Sequence, residues 1–81
     1  MAAPEHLTIR PRSRPPQTWT VEDEHGRVLA SISQATGYGF FIHVPRGTAL
    51  YGVGFGPYAH LAEVAARIGD HLALPCVLSA D

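Results

Sequence analysis

The chain has no lysine, a single cysteine and no long apolar run. Its six basic residues are all arginines and its net charge is −1, so no overall charge attracts nucleic acid or an anionic membrane. Cys76 has no second cysteine to pair with, which excludes an internal disulfide and favours a reducing compartment. No stretch approaches the roughly 18 apolar residues of a membrane helix, and the N-terminus lacks the apolar segment of a signal peptide. We therefore expect a cytoplasmic protein that does not contact a membrane.

Residues that usually carry catalysis or bind metals are not grouped in this sequence. His60 and His71 lie in one predicted helix, but their 11-residue separation places them roughly 16 Å apart, too far to share a metal ion. The glycines of residues 52–56 do not match the phosphate-binding pattern G-x-G-x-x-G, because Pro57 stands in place of the third glycine. Cys76 and the mid-strand serines lack the sequence context of a nucleophile. We predict a protein that is not an enzyme and that holds neither a cofactor nor a metal.

The clearest periodic pattern predicts one helix over residues 57–74. Pro57 suits a first helical turn, and Pro75 ends the pattern. Apolar residues at helical spacing predict a buried side made of Tyr58, Leu61, Ala65, Ile68 and Leu72. A second stripe holds only small residues, namely Ala59, Ala62, Ala66, Gly69 and Ala73. This stripe either lets the helix lie close on its own sheet or lets a second copy approach, so we expect a monomer or a weak homodimer.

Alternating residues predict an antiparallel sheet before the helix. Strands are expected over residues 18–22, 27–34, 38–44 and 49–55, with a short edge strand at residues 6–10 and an extended piece at residues 76–78. The predicted fold class is α+β, with about four antiparallel strands packed on one face by a single C-terminal helix. One domain is expected over residues 17–81. A flexible arm rich in proline and arginine is expected over residues 1–16.

The sheet face turned away from the helix is a candidate binding surface. Strand alternation assigns Leu29, Phe41, His43 and Leu50 to this face, together with residues that carry almost no charge. Exposed apolar patches often mark contact sites, so these four side chains are candidates for binding a partner. Alternatively, the two rings shield backbone beside the glycines of the next strand. The positions expected to face the helix include Trp19, Val28, Ile32, Phe40, Ile42, Val53 and Phe55.

The sequence has two clusters of charged residues, which are opposite in sign and lie in different segments. They are the acidic turn residues Glu22, Asp23 and Glu24, and the basic arm residues Arg10, Arg12 and Arg14. The acidic turn is either simply solvated or mimics phosphates towards a basic partner. The arm is either solvated or binds an acidic groove or a nucleic-acid backbone. We include both clusters among the candidate partner-binding residues.

Two strands joined by a turn over residues 18–34, a third strand and a closing helix resemble the arm-binding domains of phage integrases. In that family the sheet lies in the DNA major groove. The predicted open face of this chain has no arginine or lysine to read bases or hold phosphates, so direct DNA binding is not expected. A DNA-binding accessory module is therefore the alternative function.

The length, composition and layout of the whole chain are similar to small phage-encoded inhibitors of bacterial defence, especially anti-CRISPR proteins. The abundance of arginine, alanine, glycine and proline is typical of a GC-rich genome, hence of a bacterium or its phage. This resemblance implies a non-enzymatic protein that binds a host effector complex and sterically blocks its nucleic-acid recognition or its recruitment of a nuclease. The aromatic and acidic candidate residues suit a basic surface of such a nucleic-acid-binding complex. The resemblance also implies action in the cytoplasm of a bacterial host cell.

Overall fold

A computed structural model describes residues 5–13, 17–47 and 50–79 of the chain. Its elements are β1 (Leu7–Pro11), β2 (Thr18–Asp23), β3 (Val28–Ala35), β4 (Gly39–His43), α1 (Leu61–Leu72) and β5 (Cys76–Leu78). The strands form one sheet in the order β4-β3-β2-β1-β5. All neighbours are antiparallel except β1 and β5, which are parallel. The predicted α+β class, a small sheet with one C-terminal helix, is confirmed; the sheet is mixed and has five strands.

The core lies between α1 and one face of the sheet. Alternation along β1, β2, β3 and β4 brings apolar side chains to this face, and α1 covers them with Val64, Ala65 and Ile68. The buried sheet residues on this face include Leu7, Ile9, Trp19, Val21, Ala30, Ile32 and Ile42. The prediction of a sheet covered on one face by the helix therefore holds, and the covered face also includes Leu7 and Ile9 of β1.

The alternation of β3 changes at its first residues. Val21 pairs with Ala30 but its neighbour Glu22 pairs with Val28, so Leu29 is an extra residue in the ladder. Such a bulge shifts the strand phase by one residue. Leu29 is consequently only 8% exposed whereas Val28 is 51% exposed. The sequence prediction had placed Val28 inward and Leu29 outward, and both assignments are wrong.

Residues 50–55, the described part of the predicted fourth strand, do not form a strand. They make turns, in which the Val53 N–H donates to the Leu50 carbonyl oxygen at 3.1 Å and Gly52 has φ +107°. Leu50 is buried in the core instead of lying on the open face. The alternating glycines that looked like one face of a strand in fact allow a turn, because glycine tolerates positive φ.

The segment after these turns closes the outer edge of β4. The Phe40 N–H donates to the Tyr58 carbonyl oxygen at 2.8 Å, and the Tyr58 N–H donates to the Phe40 carbonyl oxygen at 2.9 Å. A Cβ on Gly39 would lie 2.6 Å from the Tyr58 carbonyl oxygen, so only glycine permits this approach. Because Tyr58 is held extended, α1 begins at Leu61 and not at the predicted Pro57.

Part of the predicted arm belongs to the sheet. Leu7–Pro11 form β1, which lies between β2 and β5 and is not an edge strand. Leu7 and Ile9 are fully buried. The predicted boundary at residue 16 is therefore corrected, since the folded unit includes β1. Arg14 and the rest of residues 14–16, like residues 1–4, lie outside the described residues.

No helix in the described residues is long and apolar enough to span a membrane.

Candidate partner-binding face

The sheet face opposite α1, called the open face below, is organised in rows by strand pairing. Arg10 pairs with Thr20, Thr20 with Ser31, and Ser31 with His43, which defines one row across four strands. The next row contains Thr18, Ser33 and Phe41 in the same way. With strands roughly 4.8 Å apart, three steps separate Arg10 from His43 by about 14 Å. The open face therefore has arginine at one end, an aromatic ring or histidine at the other, and hydroxyl side chains between.

A buried carboxylate holds the two arginines at their end of the open face. Glu22 is buried, and its Oε2 atom accepts hydrogen bonds from Arg12 Nη2 and, at 2.7 Å, from Thr20 Oγ1. Arg12 Nε also donates to Thr20 Oγ1 at 2.9 Å, and Arg10 Nε lies 3.6 Å from Glu22 Oε1. About half of each arginine side chain stays exposed. Donors not used by Glu22 and Thr20 are thus available to a carboxylate or phosphate of a partner.

An aromatic cluster occupies the other end of the open face. The ring centroids of Phe41 and Phe55 are 5.0 Å apart, and those of His43 and Phe55 are 5.4 Å apart in an edge-on arrangement. His43 Nε2 lies 2.9 Å from Ser33 Oγ. Phe55 is 56% exposed although the rings of Phe41 and His43 lie against it. An exposed aromatic ring supported by two others is the type of side chain that anchors an interface.

The other acidic residues of the hairpin turn are bound to backbone. Asp23 Oδ1 accepts hydrogen bonds at 2.9 Å from the N–H groups of His25 and Arg27. These bonds, first that from Arg27, lower the pKa of Asp23. Glu24 Oε2 accepts from the N–H groups of Glu5 at 2.6 Å and His6 at 3.2 Å. The bond from Glu5 is the main reason that the pKa of Glu24 is lowered.

The predicted partner-binding residues therefore divide into two groups. Phe41, His43, Arg10 and Arg12 share the open face. Leu29 and Leu50 are buried, which removes them from a contact surface. The acidic residues do not form one free patch, because Glu22 is buried beside the arginines while Asp23 and Glu24 hold the turn. The open face also has the arginines that the sequence analysis had missed there.

One signal in the sequence would have completed the arginine end of this face, but none would have placed Phe55. The predicted strand at residues 6–10 already alternates, so Arg10 should have been assigned opposite Leu7 and Ile9. Because the segment is predicted to be a flexible arm, Arg10 is not assigned to a sheet face. Phe55 had been predicted to face the helix and instead covers Phe41, because residues 50–55 turn and do not continue a strand. No local pattern distinguishes these alternatives.

Neither a metal-binding cluster nor an activated thiol is found among the described residues. No group of three or more histidine, cysteine, aspartate or glutamate side chains in residues 5–13, 17–47 and 50–79 is arranged to hold a metal ion. Burial raises the pKa of Cys76 to about 11, so this thiol stays protonated at neutral pH and is a poor nucleophile.

No protein-family model, no curated protein and no solved structure matches the chain. The geometry of the open face is therefore what bears on function.

Proposed function

We propose that this protein is a non-enzymatic protein-binding module and that the open face is its contact surface. The observation that carries this proposal is the pairing, on one face, of two positioned arginines with an exposed aromatic cluster. Aromatic residues and arginine are the types enriched in interface cores and in energetic hot spots. Thr20, Ser31 and Ser33 between them add hydrogen-bonding groups without adding charge.

The charge of the open face indicates the chemistry of the partner. Arg10 and Arg12 outnumber Glu22 there, so a partner surface with carboxylates opposite the arginines and an apolar group opposite Phe55 is complementary. A basic partner was expected from the acidic turn, but Asp23 and Glu24 are already engaged with backbone. The proposal therefore favours an acidic contact region.

A more specific form of the proposal concerns the biological role. Steric blocking of a bacterial nucleic-acid-targeting defence complex, as by anti-CRISPR-type inhibitors, would suit a small binding module acting in the cytoplasm. Its support is the resemblance in length, composition and layout alone. The contact would be made with an acidic region of that complex and not with its nucleic-acid groove.

Affinity capture with matched variants tests the protein-binding proposal. The immobilised chain is incubated with bacterial lysate, with and without nuclease treatment, and Arg12→Ala and Phe55→Ala are compared with Arg67→Ala, which changes an exposed arginine of α1. We expect a protein that the wild type and Arg67→Ala retain and that both open-face variants release. Rising salt should weaken retention by the wild type and by Arg67→Ala, because screening weakens the contacts of Arg10 and Arg12 with carboxylates. Equal retention by all four chains, or loss of the protein after nuclease treatment, would contradict the proposal.

A DNA-binding accessory module is the second candidate function. The specific observation in its favour is that Arg10 and Arg12 lie on the open face, where the resemblance to integrase arm-binding domains requires basic residues. Against it, two arginines that share Glu22 neutralise few phosphates, and phosphate contacts supply most non-specific affinity. Fluorescence anisotropy with labelled duplex DNA at physiological salt separates the two functions. Tight binding that Arg10→Ala and Arg12→Ala abolish would favour DNA.

A further inference from the structure

The two edges of the sheet differ in a way that points to a partner. The β4 edge is closed by hydrogen bonds from residues 55–58, including that from the Ile42 N–H to the Phe55 carbonyl oxygen at 2.9 Å. No described strand lies beyond β5, which forms the other edge. Val77 and Leu78 on this edge are 53% and 46% exposed, and Cys76, Val77 and Leu78 carry no charge. An open, apolar edge is a template for pairing with another strand.

The hydrogen-bonding direction of each β5 residue follows from its pairing with β1. The Leu7 N–H donates to the Pro75 carbonyl oxygen and the Ser79 N–H donates to the Ile9 carbonyl oxygen, both at 2.9 Å. In a parallel ladder the residues that bond to one neighbour alternate with those that point away from it. Cys76 and Leu78 therefore direct their N–H and carbonyl groups outward, whereas Val77 directs its own towards β1.

We propose that this edge binds β5 of a second copy of the chain, antiparallel, with the two Val77 residues facing each other across a two-fold axis. In this register Cys76 of one copy lies opposite Leu78 of the other, and these are the residues with outward backbone groups. Each such pair exchanges two hydrogen bonds, so the contact closes with four. The interface is the same on both copies, as two-fold symmetry requires.

The helix side of the same edge fits a second copy. A Cβ on Gly69 would lie 2.9 Å from the Leu74 carbonyl oxygen and 3.8 Å from Cys76 Cβ, so this side of α1 faces β5. Ala62 and Ala66 share that side at helical spacing and are exposed. Small side chains permit helix axes to approach to about 8 Å, the lower end of the usual range. The partner's α1 would therefore meet the side of α1 that carries Ala62 and Ala66.

Pairing of the β5 edges joins the two open faces. β1 is next to β5, so the arginine ends of both copies would lie near the two-fold axis and the aromatic clusters at the far ends. The two Arg10 residues would be separated by three strand steps, about 14 Å, across the sheet and by four residues, about 13 Å, along the strands, hence by roughly 19 Å. The proposed dimer would thus present two pairs of arginines on one continuous sheet face, one pair on each side of the two-fold axis.

Register-specific cross-linking tests this dimer. Both variants are made in a Cys76→Ala background, which has no other cysteine. Val77→Cys places two thiols in a non-hydrogen-bonded pair with Cα atoms about 4.5 Å apart, within disulfide range. Leu78→Cys is the matched control, because its two copies lie two residues out of register and about 8 Å apart, beyond that range. Both positions are exposed, so neither variant should disturb folding.

The expected result is rapid formation of a disulfide dimer by Val77→Cys under mild oxidation, at least tenfold faster than by Leu78→Cys, on non-reducing gels. Sedimentation equilibrium of the wild type should give twice the chain mass of 8.7 kDa at high concentration. Equal cross-linking rates for the two variants would overturn the proposed register. A wild type that stays at 8.7 kDa at its highest soluble concentration would overturn the dimer.

Discussion

Glu22 illustrates how one side chain can have a different role from that of its neighbours in the sequence. It begins a run of three acidic residues, yet it alone is buried on the open face and contacts Arg10, Arg12 and Thr20. Strand pairing decides this difference: Glu22 lies opposite Thr8 in β1, so the arginine two residues further on reaches it. A charge run in a sequence therefore does not by itself define a charged patch.

Loss of the Glu22 carboxylate should destabilise the fold and free the arginines. Glu22→Ala leaves two neighbouring guanidinium groups and the Thr20 hydroxyl without their shared acceptor. We expect the free energy of unfolding to fall by about 1–3 kcal/mol. Urea unfolding followed by the fluorescence of Trp19, which is buried, measures it. Glu63→Ala on the exposed surface of α1 is the control and should change stability by less than about 0.5 kcal/mol.

The acidic turn should make stability fall at low pH. The pKa of Asp23 lies below its ordinary value of 3.8 in the folded chain, because the N–H groups of Arg27 and His25 donate to it. A lowered folded pKa stabilises the fold above the unfolded pKa, and this contribution disappears as pH falls through the folded pKa. Urea midpoints of the wild type should therefore decrease below about pH 4 more steeply than those of Asp23→Asn. Parallel pH profiles would contradict this assignment.

Among the elements, the sequence predicted best those whose partners are close in the chain. The β2–β3 hairpin, its turn from Asp23 to Gly26 and the central part of α1 follow from local alternation, turn residues and helical spacing. The strand and the helix start predicted between residues 50 and 60 are wrong, because the conformation of this segment depends on the pairing of Tyr58 with Phe40. Local propensity does not reveal a pairing between residues 18 positions apart. For this reason the sequence predicts a strand where there are turns and starts the helix too early.

The bulge in β3 is an equally non-local feature, and two neighbouring residues test it. Leu29→Ala should lower the free energy of unfolding by about 2–5 kcal/mol, because it removes a buried side chain from the core. Val28→Ala should cost less than about 1 kcal/mol, since Val28 is exposed. If β3 alternated strictly from Ile32, Val28 would be buried and Leu29 exposed, and Val28→Ala would be the more destabilising substitution. Chemical denaturation of both variants decides between the two strand phases.

At the scale of the whole molecule, the largest difference between the predicted and the observed fold is β1, which is part of the sheet. The proline-rich composition around it favoured an arm, and only pairing with β2 and β5 shows that Leu7 and Ile9 complete the core. Assigning β1 to a flexible arm also left Arg10 and Arg12 out of the open face, although they form one end of the candidate site. Phe41 and His43 were predicted for the open face from alternation alone, and they do lie there.

Removing a side chain of β1 tests whether it belongs to the folded unit. Ile9→Ala should destabilise the protein by about 2–5 kcal/mol, which for a domain this small approaches its total stability. Thr8→Ala, on the opposite face of the same strand, is the control and should cost less than about 1 kcal/mol. Thermal melting followed by circular dichroism compares the two. If Ile9→Ala melted at the wild-type temperature, the prediction of a flexible arm would be supported instead.

The pairing of β1 with β5 has a consequence for biosynthesis. β1 leaves the ribosome early, but its parallel partner lies 65 residues beyond Pro11 and is translated after the helix. At about 5–20 residues per second, roughly 3–13 s pass before Cys76 is even polymerised. During that time Leu7 and Ile9 have neither α1 above them nor β5 beside them. For seconds, therefore, Leu7 and Ile9 of the nascent chain lack the helix and the outer strand that cover them, and a slowly translated message would extend their exposure to chaperones and to other nascent chains.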